Sequence, residues 1–234
     1  MTTVVLVRHG LTHLTGPVLA GWTPDLHLDE RGRAQAAAVA ARLSPVPLAL
    51  ALSSPLDRCL ETAGSIVAGR DGLTVESDAR LGECRYGDWT GRPLKELAKD
   101  PLWKVVQAHP SAVVFPGPEG EALRDTQNRA VAAIRAGNAR VGPDATWLAC
   151  SHGDVIKAVV ADALGLHLDQ FQRIAIDPCS VTVIRYTELR PFVLRVNDTG
   201  GSLAELAPGP KKGRRRRASS DAPVGGGAGP GSGA

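Results

Sequence analysis

Residues 3–10 read T-V-V-L-V-R-H-G, and this stretch decides the fold. Its first five residues are β-branched or apolar and uncharged, which predicts a strand covered on both faces, as in the middle of a parallel sheet. Open α/β folds bind ligands at the carboxyl ends of such strands. This strand ends in Arg8, whose planar fork of donors suits phosphate oxygens, and His9, which is able to act as a nucleophile or a proton carrier. Alone, the tripeptide Arg-His-Gly is a weak signal, because it ends a strand by accident about as often as it marks a site.

Strands and helices alternate along the rest of the sequence. Apolar or alternating runs predict five further strands, at residues 48–53, 73–76, 146–150, 180–186 and 192–196. Stretches rich in helix formers, several with capping residues, predict helices at residues 34–43, 55–67, 93–108 (broken by Pro101), 121–137 and 155–164, with Asp154 capping the last. This alternation predicts an α/β fold, a three-layer α/β/α sandwich with a central, mostly parallel sheet.

The bulk composition indicates one enzyme-sized domain. The chain has 234 residues, 43% of them hydrophobic, enough for a single α/β core, which we expect to span residues 1–207. No apolar run reaches the roughly 18 residues that span a bilayer, and no secretory signal precedes the first strand. We therefore expect a cytoplasmic protein with no membrane partner.

The charge is unevenly distributed. Residues 208–234 are rich in Gly, Pro and Ser and carry six basic residues and one acidic residue, whereas the net charge of the whole chain is only +3. The remainder is therefore slightly acidic, which disfavours a nucleic-acid-binding domain and leaves the tail as the one candidate for such contacts. We expect this tail to be disordered.

The four cysteines, Cys59, Cys84, Cys150 and Cys179, are far apart in sequence. They form no C-x-x-C pair, which argues against a zinc ribbon or a disulfide scaffold and favours small buried filler.

Four motifs in order point to one chemistry. They are V-L-V-R-H-G (residues 5–10, the first valine at 5), S-S-P-L-D-R-C-L-E-T-A (53–63), L-G-E-C-R-Y-G-D-W-T-G-R (81–92) and S-H-G-D-V-I (151–156). Together they place two arginines and two histidines at strand ends, a pocket for a dianionic tetrahedral group. Over about residues 3–197 the sequence resembles the histidine phosphatase superfamily, also called phosphoglycerate mutase-like. Its later stretches are similar to an actinobacterial phosphomutase-like branch.

The resemblance implies a role for each matching residue. His9 is implied as the nucleophile that becomes phosphohistidine, with Nε2 attacking and the Nδ1 proton facing a backbone carbonyl. Arg8, Arg58 and His152 are implied as the clamp on the phosphoryl oxygens, and Glu83 as the general acid with a pKa raised by burial. The same residues of the clamp, with Thr15 and Gly21 of the long loop after the first strand, are expected to bind substrate. The resemblance implies no metal and no cofactor.

Three departures from the family pattern concern the substrate. Leu11 replaces an acidic residue, Thr15 replaces an asparagine, and Asp154 replaces a second glycine after the late histidine. The pattern Y-G-D-W-T-G-R and a short, proline-broken segment at residues 92–121 favour a phosphatase over a mutase, because a mutase must keep water off phosphohistidine.

The expected activity is hydrolysis of a small phosphorylated metabolite. The enzymatic alternative is a phosphoglycerate-type mutase. The non-enzymatic alternative is a noncatalytic phospholigand- or RNA-binding protein, against which the presence of both a nucleophile and an acid argues. The sequence names neither the substrate nor the oligomeric state.

Overall fold

The computed structural model of this chain describes residues 1–200 and Gly225. It contains one sheet of six strands: β1 (Thr2–Arg8), β2 (Ala51–Ser53), β3 (Val75–Ser77), β4 (Thr146–Ser151), β5 (Val181–Tyr186) and β6 (Pro191–Asp198). The helices are α1 (Glu30–Leu43), α2 (Asp57–Val67), α3 (Leu94–Leu97), α4 (Pro101–Ala108), α5 (Leu123–Arg140) and α6 (Gly153–Ala163). The tail predicted to be disordered, residues 208–234, lies outside the described residues except for Gly225.

The sheet has the order β3-β2-β4-β1-β5-β6, with β1 inside it. Strands β1 to β4 are mutually parallel, and the β5–β6 hairpin adds two antiparallel strands at one edge. The predicted α/β fold with a mostly parallel central sheet is therefore confirmed.

Strand β1 is buried on both faces, as its unbroken apolar run requires. Val4 and Leu6 point into a core shared with α5 and α6, whereas Val5 and Val7 point into a second core shared with α1 and α2. The alternation of one strand between two cores makes three layers.

Several predicted bounds shift by a few residues. Strand β2 begins at Ala51 rather than residue 48, and β3 spans Val75–Ser77 rather than 73–76. The prediction that Asp154 caps the helix after β4 is wrong: His152 occupies the N-cap position, and Asp154 lies inside the first turn of α6. The Asp154 carboxylate instead accepts side-chain bonds, from the hydroxyl of Tyr86, which is distant in sequence, and from the ammonium group of Lys157 one turn along α6.

Two further predictions concern the four cysteines and membrane-spanning helices. All four cysteines are buried free thiols, as predicted for filler. Among the described residues, no helix is both long enough and apolar enough to span a bilayer. The cytoplasmic location stays a prediction.

Candidate active site

The site begins with the pairing of two strands. In the parallel ladder, Arg8 of β1 lies opposite Ser151 of β4, so the residues that follow, His9 and His152, leave the sheet side by side. Their rings meet edge to face, with centroids 5.2 Å apart. The neighbouring strand β2 leads through residues 54–56 into α2, whose second residue is Arg58. The topology thus brings three motifs to one edge of the sheet.

The ring of His9 is held in one orientation. Its Nδ1 lies 2.7 Å from the carbonyl oxygen of Gly10, which assigns the ring proton to Nδ1 and makes Nε2 the unprotonated nitrogen. Burial, with the nearby guanidinium groups of Arg58 and Arg8, holds the His9 pKa well below 6.5. The ring is therefore neutral, the state that a nucleophile needs.

Close backbone packing supports this turn. A side-chain carbon on Gly32, in the first turn of α1, would lie 2.0 Å from the carbonyl oxygen of Leu11. Only a glycine there allows α1 to lie against the chain just after His9.

Arg58 joins both histidines. Its Nε donates to His9 Nε2 at 3.3 Å, and its Nη2 donates to the Gly21 carbonyl at 2.7 Å and lies 3.4 Å from His152 Nδ1. The side chain is 1% exposed, and its Nη1 has no hydrogen-bond partner among the described residues. A buried guanidinium nitrogen beside a nucleophile leaves a donor for an incoming oxyanion.

Arg8 and His152 complete the positive lining. Arg8 is buried and donates through Nη1 to the Ile176 carbonyl at 2.8 Å. His152 Nε2 lies 2.8 Å from Ser54 Oγ, and burial with the Arg58 charge lowers its pKa well below 6.5. A bound phosphate dianion would reverse part of this effect and favour the protonated ring.

Glu83 lies opposite these groups and is 4% exposed. Burial first, and the Asp154 charge second, raise its pKa to about 7, against the opposing effect of Arg58. Its Oε1 accepts a bond from Cys84 N at 2.9 Å, so Oε2, which lies 3.8 Å from His152 Nδ1, is the oxygen left to carry the proton. A carboxyl group in this state is suited to general acid catalysis near neutrality.

Most of these groups line one pocket. Of the predicted site residues, Arg8, His9, Thr15, Gly21, Arg58 and Glu83 line it, and His152 lies just behind, in contact with Arg58 and Glu83. Thr15 binds Thr12 through its hydroxyl, and Gly21 has a positive φ of 53°. The structure therefore brings together every residue that the sequence proposed for the site.

Sequence reasoning did not foresee what holds Glu83 in place. Arg129 of α5 donates to the carbonyl oxygens of Arg80, Gly82 and Glu83 at 2.7–2.9 Å. The indole of Trp22 donates to the same Glu83 carbonyl at 2.6 Å. No local pattern signals such contacts, because the partners lie 46 to 61 residues apart.

Comparison with known proteins agrees with this geometry. Residues 4–199 match the family model described as the histidine phosphatase superfamily, branch 1. The chain belongs to the histidine phosphatase superfamily. The family resemblance drawn from the four motifs is therefore confirmed, whereas the actinobacterial branch stays a prediction.

Individual relatives in this superfamily differ in their named activities. The chain is 30% identical to phosphoserine phosphatase 1 of Hydrogenobacter thermophilus, over 85% of this chain and 93% of that protein. It is also 30% identical to the 2,3-bisphosphoglycerate-dependent phosphoglycerate mutase 2 of Gloeobacter violaceus, over 76% of this chain and 83% of that protein. Among solved structures, a mycobacterial glucosyl-3-phosphoglycerate phosphatase superposes with a TM-score of 0.73 at 27% identity, covering 84% of this chain and 98% of that one. Membership in this family makes the chain a phosphatase or a phosphomutase.

Proposed function

We propose that this protein hydrolyses small phosphate monoesters through a phosphohistidine formed on His9. The observation that carries the proposal is the Arg58 side chain, which touches Nε2 of His9 and has a buried Nη1 with no partner in residues 1–200 or at Gly225. An ester phosphate placed on this guanidinium would draw the Arg58 N–H donors onto its oxygens and so release the Nε2 lone pair of His9 for attack on phosphorus.

The reaction proceeds in two steps. In the first, the Nε2 lone pair of His9 forms a bond to phosphorus, the ester P–O bond breaks, and Glu83 gives its proton to the leaving oxygen. In the second, a water oxygen attacks phosphorus, Glu83 takes the water proton, and the N–P bond breaks to release inorganic phosphate. The cations of Arg8 and Arg58, with His152, stabilise the charge on the transferring group.

Hydrolysis is favoured over transfer by the segment between Arg92 and Glu121. Its large side chains Trp103, Val106 and Phe115 are buried in the main core, and Leu94 is the residue of this segment that reaches the pocket. Because these large side chains are buried in the core, they supply no cover over the pocket, as expected of an enzyme that admits water to phosphohistidine. The mutase remains the second candidate because a relative of equal identity carries that name.

The substrate is a small phosphorylated molecule. We place its phosphoryl group against Arg8, Arg58 and His152, with Thr15 and Gly21 at the wall of the pocket. The catalytic unit is proposed to end before the basic tail, at about residue 207.

The deciding experiment measures phosphate release from a panel of metabolite monoesters, with no added metal and with a chelator present. We expect turnover that the chelator does not change, since arginines and a histidine supply the positive charge. In His9→Ala the activity should fall by at least ~10³-fold, because the ring nitrogen that Arg58 contacts and that attacks phosphorus is lost.

A matched control is His13→Ala, since His13 is an exposed histidine on the same loop. Its activity should stay within about twofold of wild type. If His9→Ala retains a tenth of the wild-type rate, the proposal is wrong. If phosphate is not released but phosphoglycerate isomers interconvert with a bisphosphorylated primer, the protein is a mutase.

A further inference from the structure

Asp154 is a buried acid beside the pocket that the proposed reaction does not use. It is 1% exposed and lies two residues after His152. Its Oδ1 lies 3.3 Å from Lys157 Nζ, and its Oδ2 accepts a bond from the Tyr86 hydroxyl at 2.9 Å. Tyr86 itself lines the pocket. The side chain of Lys157, which makes this contact from the same helix, is also buried.

A second donor already reaches Oδ2 from the pocket side. The backbone N–H of Gly225 donates to it at 3.0 Å, and Gly225 lines the same pocket as His9, Arg8 and Glu83. Gly225 lies 27 residues beyond the end of β6 and belongs to none of the described elements that build the pocket. It therefore occupies space in which a ligand would lie, and it marks the place where a ligand N–H or O–H would meet Asp154.

We propose that Asp154 selects phosphate esters whose leaving group carries a hydrogen-bond donor, an ammonium or hydroxyl group, that replaces the Gly225 N–H on Oδ2. This inference rests on the proposed function and names its substrate class. The arginine clamp binds the phosphoryl group, which every monoester has, whereas Asp154 binds a feature that only some have. A site built to accept a donor discriminates against analogues without one, because its buried acceptor is left unpaired.

The group that faces Asp154 determines how well each ester should be hydrolysed. An ammonium group gains both a hydrogen bond and a charge interaction with the carboxylate, and a hydroxyl gains the hydrogen bond alone. An alkyl group of the same size gains neither and displaces the Gly225 donor without replacing it. The expected order of kcat/KM is therefore ammonium, hydroxyl, alkyl.

The test uses the full chain and three esters of matched length: 2-aminoethyl phosphate, 2-hydroxyethyl phosphate and propyl phosphate. In the wild type we expect kcat/KM for the amino ester to exceed that for the propyl ester by roughly 10–100-fold. In Asp154→Asn we expect this ratio to fall to within about threefold of one. The matched control is Asp162→Asn, an exposed acid on the same helix, which should keep the wild-type ratio.

Each outcome bears on the inference. Equal kcat/KM for the three esters in the wild type overturns it without any variant, even if Asp154→Asn fails to fold. A wild-type preference that persists in folded Asp154→Asn overturns it too, because the recognition then lies elsewhere. Failure of the proposed function is a different result: no ester is hydrolysed, or His9→Ala hydrolyses them as fast as the wild type.

Discussion

At the scale of single residues, one side chain of the site makes several contacts at once. Arg58 orients His9 through Nε, bonds the loop carbonyl of Gly21, and lies within reach of His152. A lysine has one charged nitrogen and cannot make these contacts together. The geometry of the fork, beyond its charge, is therefore what the site requires.

This argument predicts the effect of Arg58→Lys. We expect kcat/KM to fall by roughly 10²–10³-fold, with most of the loss in kcat, because the contacts to the transferring group strengthen in the transition state. Steady-state kinetics on the best ester from the panel provide the measurement. A fall of less than about fivefold would show that positive charge alone suffices at this position.

The pKa of Glu83 predicts the pH dependence of the first chemical step. Phosphoryl transfer to His9 needs the carboxyl group protonated, and its pKa is raised to about 7 by burial and by Asp154. His9 stays neutral well below pH 6.5, because its own pKa is lowered. The rate of phosphoenzyme formation should thus be level on the acidic side of neutrality and fall as pH rises through about 7.

Single-turnover quench experiments measure this profile directly. In Glu83→Gln the rate should be much lower and independent of pH between about 6 and 8, because an amide carries no titrating proton in this range. A wild-type profile that still rises above pH 8 would assign the acid to another group.

At the scale of elements, helix α5 acts on the site from a distance. Arg129 bonds three carbonyl oxygens of the loop that carries Glu83 and pairs with Glu121 at 2.6 Å. One side chain thereby ties the loop to a helix packed on the sheet. It is a positioning residue, since it touches Glu83 through the backbone and not through the carboxyl group.

Removal of this tie should lower both stability and rate. We expect Arg129→Ala to destabilise the protein by roughly 1–3 kcal/mol, because it leaves loop carbonyls without donors. We also expect it to lower kcat by about tenfold while KM changes little, since a misplaced acid affects the transition state more than binding. Thermal unfolding and kinetics at two pH values would measure both effects.

Arg140→Ala is the matched control on the same helix. Arg140 pairs with Glu76, and both side chains are about half exposed. Its loss should cost under about 0.5 kcal/mol and leave kcat unchanged. Equal effects of the two substitutions on kcat would contradict a positioning role for Arg129.

At the scale of the whole molecule, the shifted pKa values of the buried site groups lower the free energy of unfolding, the histidines in acid and Glu83 as the pH rises. The lowered pKa values of His9 and His152 cost stability as pH falls below about 6.5, where these rings take up protons in the unfolded chain. The raised pKa of Glu83 costs stability as pH rises from about 4.5 through 7, where the unfolded carboxyl loses its proton first. An anion bound in the pocket would interact favourably with the positive charges of Arg8 and Arg58 and so stabilise the folded state.

Inorganic phosphate or vanadate should therefore raise the melting temperature. At about 100 times its dissociation constant, a ligand that binds only the folded state adds about 2.7 kcal/mol. For a domain of this size, the melting temperature should rise by roughly 5–10 °C. Differential scanning fluorimetry would measure it, with sulfate-free chloride at equal ionic strength as the control.

The variant Arg58→Ala separates binding at the site from a general salt effect. It should remove most of the phosphate-induced rise in melting temperature, because the paired donors are lost. A rise of equal size in Arg58→Ala and wild type would show that the anion binds elsewhere.

The central strands and most of the site residues could be predicted from the sequence, because burial constrains which residues a strand contains. A strand buried on both faces must be uniformly apolar, so β1 and β4 were visible as runs, and polar residues directly after such runs must lie at a sheet edge. That reasoning identified Arg8, His9 and His152, and the order of strand, Ser-Ser-Pro and helix placed Arg58 at the same edge. Glu83 needed the family resemblance in addition.

Only the tertiary structure decided what lies far apart in the chain. Three contacts join distant residues: the support of Glu83 by Arg129, the bond from Tyr86 to Asp154, and the bond from Gly225 to the same acid. Local pattern encodes burial and backbone preference, which one segment determines by itself. Hydrogen bonds between segments, and the pKa values that burial among them produces, exist only once packing has brought the partners together.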